Sequence, residues 1–498
     1  MTPPLTDPAV VDDLGTDLRA AGFDATGVPE LLGSSAHRAL GRGEFVPALL
    51  ATEDGAPLST LIRLFLLGTT ESSAAVRAAL PATGIERAVA NGALELVGED
   101  VRAGLDIRPH ADDESEFLVV SDLDSDTRPG PVHAEHVLGI GAASITLANA
   151  VIREQVGTAL DIGVGCGIQS VHLASHAGYI TATDVSTRAL ALAGATARLN
   201  GQTWDLRQGS LFSPVAGERF DLIVSNPPFV IGTGRKQYTY RDSGVAGDGI
   251  CEQLIRGLPD HLNEGGTAQL LANWIVREDT DWRDRVGSWV AATGLDGWVV
   301  QRELADPAEY VALWLKDAGE TGGQAEATAR AWLEWFRAEK VAGIGMGVLT
   351  LRRTDSDDPD VVLDEITGAG EEVTGPEAAA FLARRDWLRD VSDAELLATP
   401  LSLASTVILE DRSIATDNGW STVLRMLRRP GGPGATLQVD DWGRTLLAGC
   451  QGKVPTAVLV ELLAGVHGVE PDALAAAVLP ALRVGVTRGL LHPVETDD

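Results

Sequence analysis

The apolar run Ala159-Leu160-Asp161-Ile162 is broken by Gly163, Gly165 and Gly167, and a helical pattern over 168–177 follows at once. A buried strand that turns on glycines into a helix points to an α/β fold, because a bare turn lets a ligand lie against backbone. The alternation then continues. Residues 179–184 read as a second strand, 189–200 as a second helix, 205–207 as a short third strand and 220–225 as a fourth. Residues 254–262, 266–273 and 299–303 carry it on, and 344–352 reads as a last strand. Strands alternating with helices predict a Rossmann-like, parallel sheet with helices on both faces.

A chain of 498 residues is too long for one core, since cores stop growing near roughly 250–300 residues. Pro129-Gly130-Pro131 and the polar run around Asp355-Ser356-Asp357-Asp358 suggest boundaries. They divide the chain into 1–130, 131–354 and 355–498. The first part shows helical spacing over 9–21, 59–67 and 85–91, and then 94–97 and 105–107 read as a short hairpin. The last part shows it over 377–388, 456–464 and 472–484, before a short strand at 489–491. Both flanks are therefore expected to be mainly helical and winged-helix-like.

With 39 Lys+Arg against 71 Asp+Glu, the net charge is -32. That disfavours non-specific binding to nucleic acid or anionic membrane, though not a local basic groove, and it favours solubility. Cys166, Cys251 and Cys450 form neither a disulfide framework nor a metal-binding spacing. The start, Met1-Thr2-Pro3-Pro4-Leu5, lacks the features of a signal peptide, and no run is long enough to span a membrane. A cytoplasmic location is expected, with no membrane partner.

Two motifs carry chemistry. The helix N-terminus after the glycine turn favours an anionic group such as a carboxylate. Asp184 ends the next strand, where a carboxylate can bind both hydroxyls of a ribose or, alternatively, cap the next helix. Asn226-Pro227-Pro228-Phe229 directly follows the fourth strand. The Asn226 side-chain oxygen and the Pro227 carbonyl can accept the two N–H bonds of a planar amine or amide, and Phe229 offers a face for it. A rigid turn is the alternative reading.

The glycine run resembles the cofactor motif of class I S-adenosylmethionine methyltransferases. The resemblance covers about 158–273 and implies that Asp161, Gly163, Gly165 and Gly167 surround the methionine part of the cofactor. It places Asp184 on the ribose and Ser210, where many such enzymes have an acid, near the adenine amine. With Asn226, Pro227 and Phe229 the pattern is similar to amino-methyltransferases that act on release-factor glutamine, ribosomal RNA guanine or DNA adenine. Gly247-Asp248-Gly249 resembles the release-factor enzymes; Phe229 and Asn200-Gly201 lean toward the RNA guanine enzymes. The implied activity is N-methylation with S-adenosyl-L-methionine, with Asn226 at both the reacting nitrogen and the cofactor. A macromolecular acceptor is expected, protein or peptide ahead of RNA. A small-molecule amine and a non-catalytic S-adenosylmethionine-binding protein remain alternatives.

Weaker signals read mostly as structure. His172 and His176 share a predicted helix face, and His133 and His136 read as packing, so no metal is expected. Arg425, Arg428 and Arg429 suggest a solvated helix end or a phosphate contact. Trp274, Trp282, Trp289 and Trp298 suggest core packing. Arg235, Lys236, Tyr238, Tyr240 and Arg241 suggest a substrate lid or a merely solvated loop.

Overall fold

The computed structural model describes residues 3–112, 115–356, 358–366, 368, 370–417 and 419–494. Two compact units result, one of residues 1–148 with 153–364 and one of residues 149–152 with 365–498.

The first unit is built on one eight-stranded sheet. Its strands are β1 (Val156–Ile162), β2 (Ala177–Asp184), β3 (Asp205–Gln208), β4 (Phe220–Ser225), β5 (Leu262–Arg277), β6 (Asp296–Ala305), β7 (Val341–Arg352) and β8 (Val361–Glu365). Their spatial order is β3-β2-β1-β4-β5-β7-β6-β8. The first five run parallel, and β7 lies antiparallel between β5 and β6. The chain moves outward from β1 to β3, then returns to β4 on the other side of β1. Ligands of open α/β sheets bind at the carboxyl edge of such a reversal.

The covering helices include α1 (Ile168–Leu173), α2 (Thr187–Leu199), α3 (Gly249–His261) and α4 (Trp282–Ala291). Leu160, Ile162 and Ile223 of the sheet pack with Leu254, Leu258 and Trp289 of these helices in one buried cluster. The four expected core tryptophans are all buried. Trp274 fits because Gly345 and Gly347 on β7 leave it a slot: a Cβ on either would lie 2.1 or 2.4 Å from its ring. Its Nε1 donates to Gln301 Oε1 at 3.2 Å.

α1 stops at Leu173, four residues short of the predicted end. Ala177 is already needed to pair with Val156 in the sheet. His172 and His176 therefore share no helix face. His172 Nδ1 contacts Asp112 at 3.2 Å and its Nε2 contacts His110 at 2.9 Å.

The N-terminal flank is mainly helical, but its hairpin differs from expectation. Leu94–Val97 pairs with Asp100–Ala103, because Gly98 takes a φ of 65° and turns the chain within two residues. Asp106–Ala111 pairs instead with Glu116–Ser121. That second strand is fixed to α2. Asn200 accepts from the Leu118 N–H at 2.9 Å and donates to the Leu118 carbonyl at 2.8 Å. Asn200 thus has a packing role that explains its presence without reference to substrate.

Among the described residues the second unit has five helices, Gly375–Asp390, Asp393–Ala398, Asp441–Gly449, Thr456–His467 and Pro471–Thr487. Beside them stands a ribbon the sequence reading missed, Ile408–Thr416 paired with Gly419–Arg429 and then Ala435–Gln438. Arg425, Arg428 and Arg429 lie on its middle strand, not at a helix end. Each faces acids: Arg425 meets Asp411 and Asp441, Arg428 meets Glu371, and Arg429 meets Glu377. Those acids neutralise the cluster. No helix among the described residues is long and apolar enough to cross a membrane.

Candidate active site at the carboxyl ends of the central strands

The glycine turn leaves β1 with Gly163, Gly165 and Gly167 at φ values of 78°, 54° and 88°. These lie in the left-handed region that favours glycine. The N–H groups of Gly163 and Val164 both donate to the Thr183 carbonyl, at 2.8 and 2.9 Å, which ties the turn to the end of β2. A Cβ on Gly167 would come within 2.7 Å of the Trp204 ring.

Asp161 is buried on β1. One carboxyl oxygen accepts from Ser170 Oγ at 2.7 Å; the other has no partner. Burial, resisted by the Ser170 hydrogen bond and reinforced by the charge of Asp184, pushes its pKa up to about 7. Asp184 ends β2 half-buried. It accepts from Gly165 N at 3.1 Å and Ser186 N at 2.8 Å, and burial raises its pKa too. Ser186, not Asp184, is the N-cap of α2. The Gly209 N–H bonds the Asp184 carbonyl at 2.9 Å, which sets the exposed Ser210 beside that strand end.

Asn226 follows β4. Ser225 Oγ donates to the Ile162 carbonyl at 2.8 Å, and a Cβ on Gly163 would lie 3.8 Å from the Asn226 carbonyl oxygen. Glycine turn and Asn-Pro-Pro-Phe corner are therefore neighbours. Asn226 Oδ1 is buried without a partner. The Pro227 carbonyl accepts from the Phe229 N–H at 2.7 Å and keeps one lone pair. Phe229 meets Trp314 edge-on, with centroids 6.3 Å apart.

Asp161 Oδ1, Thr183 Oγ1 and Asn226 Oδ1 are thus buried and unpaired at the carboxyl ends of β1, β2 and β4. Leaving a buried polar atom unpaired costs about 1–3 kcal/mol. Asp161 Oδ1 and Asn226 Oδ1, both beside the glycine turn, suit a polar ligand that supplies the missing bonds, whereas Thr183 is in register with Ile162 and so faces the other side of the sheet from Asp161. The residues present therefore fit a nucleoside-bearing cofactor.

The loop expected to act as a lid is instead held down. α5 (Pro307–Asp317) and α6 (Gly322–Ala338) form an insertion between β6 and β7. Arg241 is buried with its guanidinium 4.5 Å from the Tyr238 ring centroid and 5.7 Å from that of Trp332, and it donates to the Trp314 carbonyl. Tyr240 donates to Asp317 at 2.6 Å. A solvated lid would have to break these bonds to open; only Arg235 and Lys236 of the five are exposed with Gln237. Tyr310 Oη accepts from Ile231 N at 2.9 Å and Asn273 Nδ2 at 3.0 Å, which braces the chain just past the corner. The insertion was missed, yet Asp306-Pro307 followed by Tyr310, Val311, Trp314 and Leu315 at helical spacing could have revealed it.

Asp248, in the run that resembles release-factor enzymes, is also structural here. It accepts from Ile275 N at 2.9 Å and pairs with Arg285. Asp122, His133 and His136 cluster closely enough to suggest a cation. However, Arg188 already occupies both Asp122 oxygens, and Val137 N bonds one of them. Burial pushes Asp122 up, but Arg188 and His133 outweigh it and hold the carboxyl well below the usual range.

The raised pKa of Asp161 predicts a pH effect. A group protonated more tightly in the folded state contributes stability in acid, which is lost as pH rises through about 7. Asp161→Asn does not titrate. Thermal melts from pH 5 to 8 should therefore show this variant gaining on the wild type, by up to about 1.4 kcal/mol per pH unit. A pH-independent difference would contradict the buried, protonated carboxyl.

Fold and site together define a class I methyltransferase domain, a class whose methyl donor is S-adenosylmethionine. Residues 132–300 match the Methyltransferase small domain. Residues 20–104 and 379–493 match two domains of unknown function, DUF7059 and DUF7782. Ribosomal RNA small subunit methyltransferase C of Citrobacter koseri is 35% identical over 156 residues, which are 31% of this chain and 41% of that protein. The protein of the same name from Salmonella newport is 36% identical over 137 residues, 27% and 36% of the two chains. The chain therefore spans less than half the length of these curated relatives. Among solved structures, ribosomal protein L11 methylase of Lactobacillus delbrueckii subsp. bulgaricus is 18% identical and covers 44% of this chain and 81% of its own, with a TM-score of 0.26. The names of the curated relatives lend no support to the expected preference for a protein or peptide acceptor, which gives way to RNA below.

Proposed function

We propose that the protein transfers a methyl group from S-adenosylmethionine to an exocyclic amine of an RNA base. The observation that carries this reading is the buried, unpaired Asn226 Oδ1 beside the glycine turn. When bound, the cofactor supplies an electrophilic methyl group. Gly163, Gly165 and Gly167 line its methionine part, and Asp161 offers one free carboxyl oxygen there. Asp184 holds the ribose hydroxyls, and Ser210 sits toward the adenine. Asn226 Oδ1 and the remaining Pro227 lone pair accept the two N–H bonds of the acceptor amine. That aims the nitrogen lone pair and limits its delocalisation into the base. Phe229 stacks on the base plane. The proton leaves late, so positioning rather than a strong base provides most of the acceleration.

RNA is favoured over protein because the relatives that match this stretch are named as ribosomal RNA methyltransferases. The phenylalanine of the corner fits the same reading. With a net charge of -32, general phosphate attraction is weak. Recognition then falls to shape and to local contacts such as Arg235 and Lys236, with 131–354 as the catalytic part and residues 1–130 and 355–498 as recognition modules. Work on RNA fits a cytoplasmic location.

The test is transfer of labelled methyl from S-adenosylmethionine to protein-free RNA, to ribosomal subunits and to protein extract. The expected label is removed by ribonuclease and not by protease. Protease-sensitive label would overturn the RNA reading and keep the transferase one.

A further inference from the structure

The outer half of the ribbon Ile408–Thr416/Gly419–Arg429 is exposed on both faces. Ile414 is 54% exposed, Val423 56% and Trp420 79%, and at the inner end Ile408 is still 49% exposed. A two-stranded ribbon with no covered face is marginal in water. The third strand supports only its inner end, where Met426–Arg429 pairs with Ala435–Gln438. Ile408–Thr416 is also the edge strand of its sheet. An edge strand presents a row of backbone donors and acceptors to any matching strand.

The chemistry of that edge selects its partner. A phosphate surface is a poor match, because Glu410 and Asp411 lie on the strand and Arg425 is already engaged by Asp411 and Asp441. The strand is instead complementary to itself. When two copies pair antiparallel about a two-fold axis, opposite residues share a face, so the axis must pass through a residue pair. Centred on Asp411, the register sets Glu410 against the partner's Arg412 and Ile408 against the partner's Ile414, each twice. The two Asp411 carboxylates that meet at the axis are each bonded by Arg425, at 2.6 Å. Centred on Arg412, the register opposes two arginines and sets Glu410 against the partner's Ile414. Centred on Glu410, it opposes two glutamates. Only the Asp411 register joins opposite charges and apolar pairs.

We infer that the protein forms a two-fold dimer in which the Ile408–Thr416 strands of two copies pair antiparallel about Asp411. The full chain should sediment as a dimer at tens of micromolar. Arg412→Glu sets acid against acid and Glu410→Arg sets base against base. Each variant alone should weaken association at least about tenfold, since like charges placed opposite one another are costly. Mixed in equal amounts, the two restore both charge pairs and should form a heterodimer. A variant that merely misfolded would not be rescued by mixing. A monomeric wild type, dimers that survive either substitution, or variants that stay monomeric when mixed would each overturn the inference.

Discussion

Replacing Asn226 with alanine should lower the rate of methyl transfer about 10²–10³-fold and leave S-adenosylmethionine affinity within about threefold. The asymmetry follows from position. Asn226 Oδ1 is buried and unpaired in the free protein. Its loss removes an acceptor for the substrate amine without removing any bond the fold makes. The neighbouring Asp161, Asp184 and glycine turn keep their own contacts. Steady-state rates beside calorimetric titration of the donor separate the two effects. Asn226→Asp keeps an acceptor oxygen and should retain more activity than the alanine variant. Full turnover by Asn226→Ala would show that the nitrogen is oriented by something else. A parallel loss of donor affinity would assign Asn226 to the cofactor alone.

The catalytic sheet was legible because its determinants are local. An apolar strand, a glycine turn and a helix follow one another between Val156 and Leu173, and β4 spans the predicted run of 220–225. The insertion of α5 and α6 was not legible in the same way. Its helices have apolar residues at helical spacing, but they bury only Tyr310, Val311 and Phe336 fully and leave Trp314, Leu315, Trp332 and Leu333 partly exposed, so they carry a weaker burial signal than the sheet. Nor could the sequence show that Arg241 is wrapped by Trp314 and Trp332 as well as by the nearby Tyr238, since the two tryptophans lie far along the chain. A basic-aromatic run read alone looks like a solvated lid; with its partners in place it is a clamp. The ribbon of the second unit was missed for a related reason. Its exposed strands lack the alternation of buried and open positions on which strand prediction depends.

Asp184→Ala should weaken S-adenosylmethionine binding about 100-fold. A carboxylate that accepts two ribose hydroxyls makes charge-assisted bonds, each worth about 1.5–3 kcal/mol, and partial compensation by water leaves a net loss near 3 kcal/mol. The side chain also accepts from the backbone of Gly165 and Ser186, so part of the loss could arise from a looser glycine turn. Asp184→Asn separates these contributions. Its single amide oxygen can still hold one backbone N–H, but it loses the charge and one acceptor. Titration should place it between wild type and alanine, about tenfold weaker than wild type, with the melting temperature of the free protein nearly unchanged. Unaltered donor affinity in both variants would remove Asp184 from the cofactor site. Equal losses in donor affinity and in free-protein stability would make it a support of the turn, leaving the ribose to other groups.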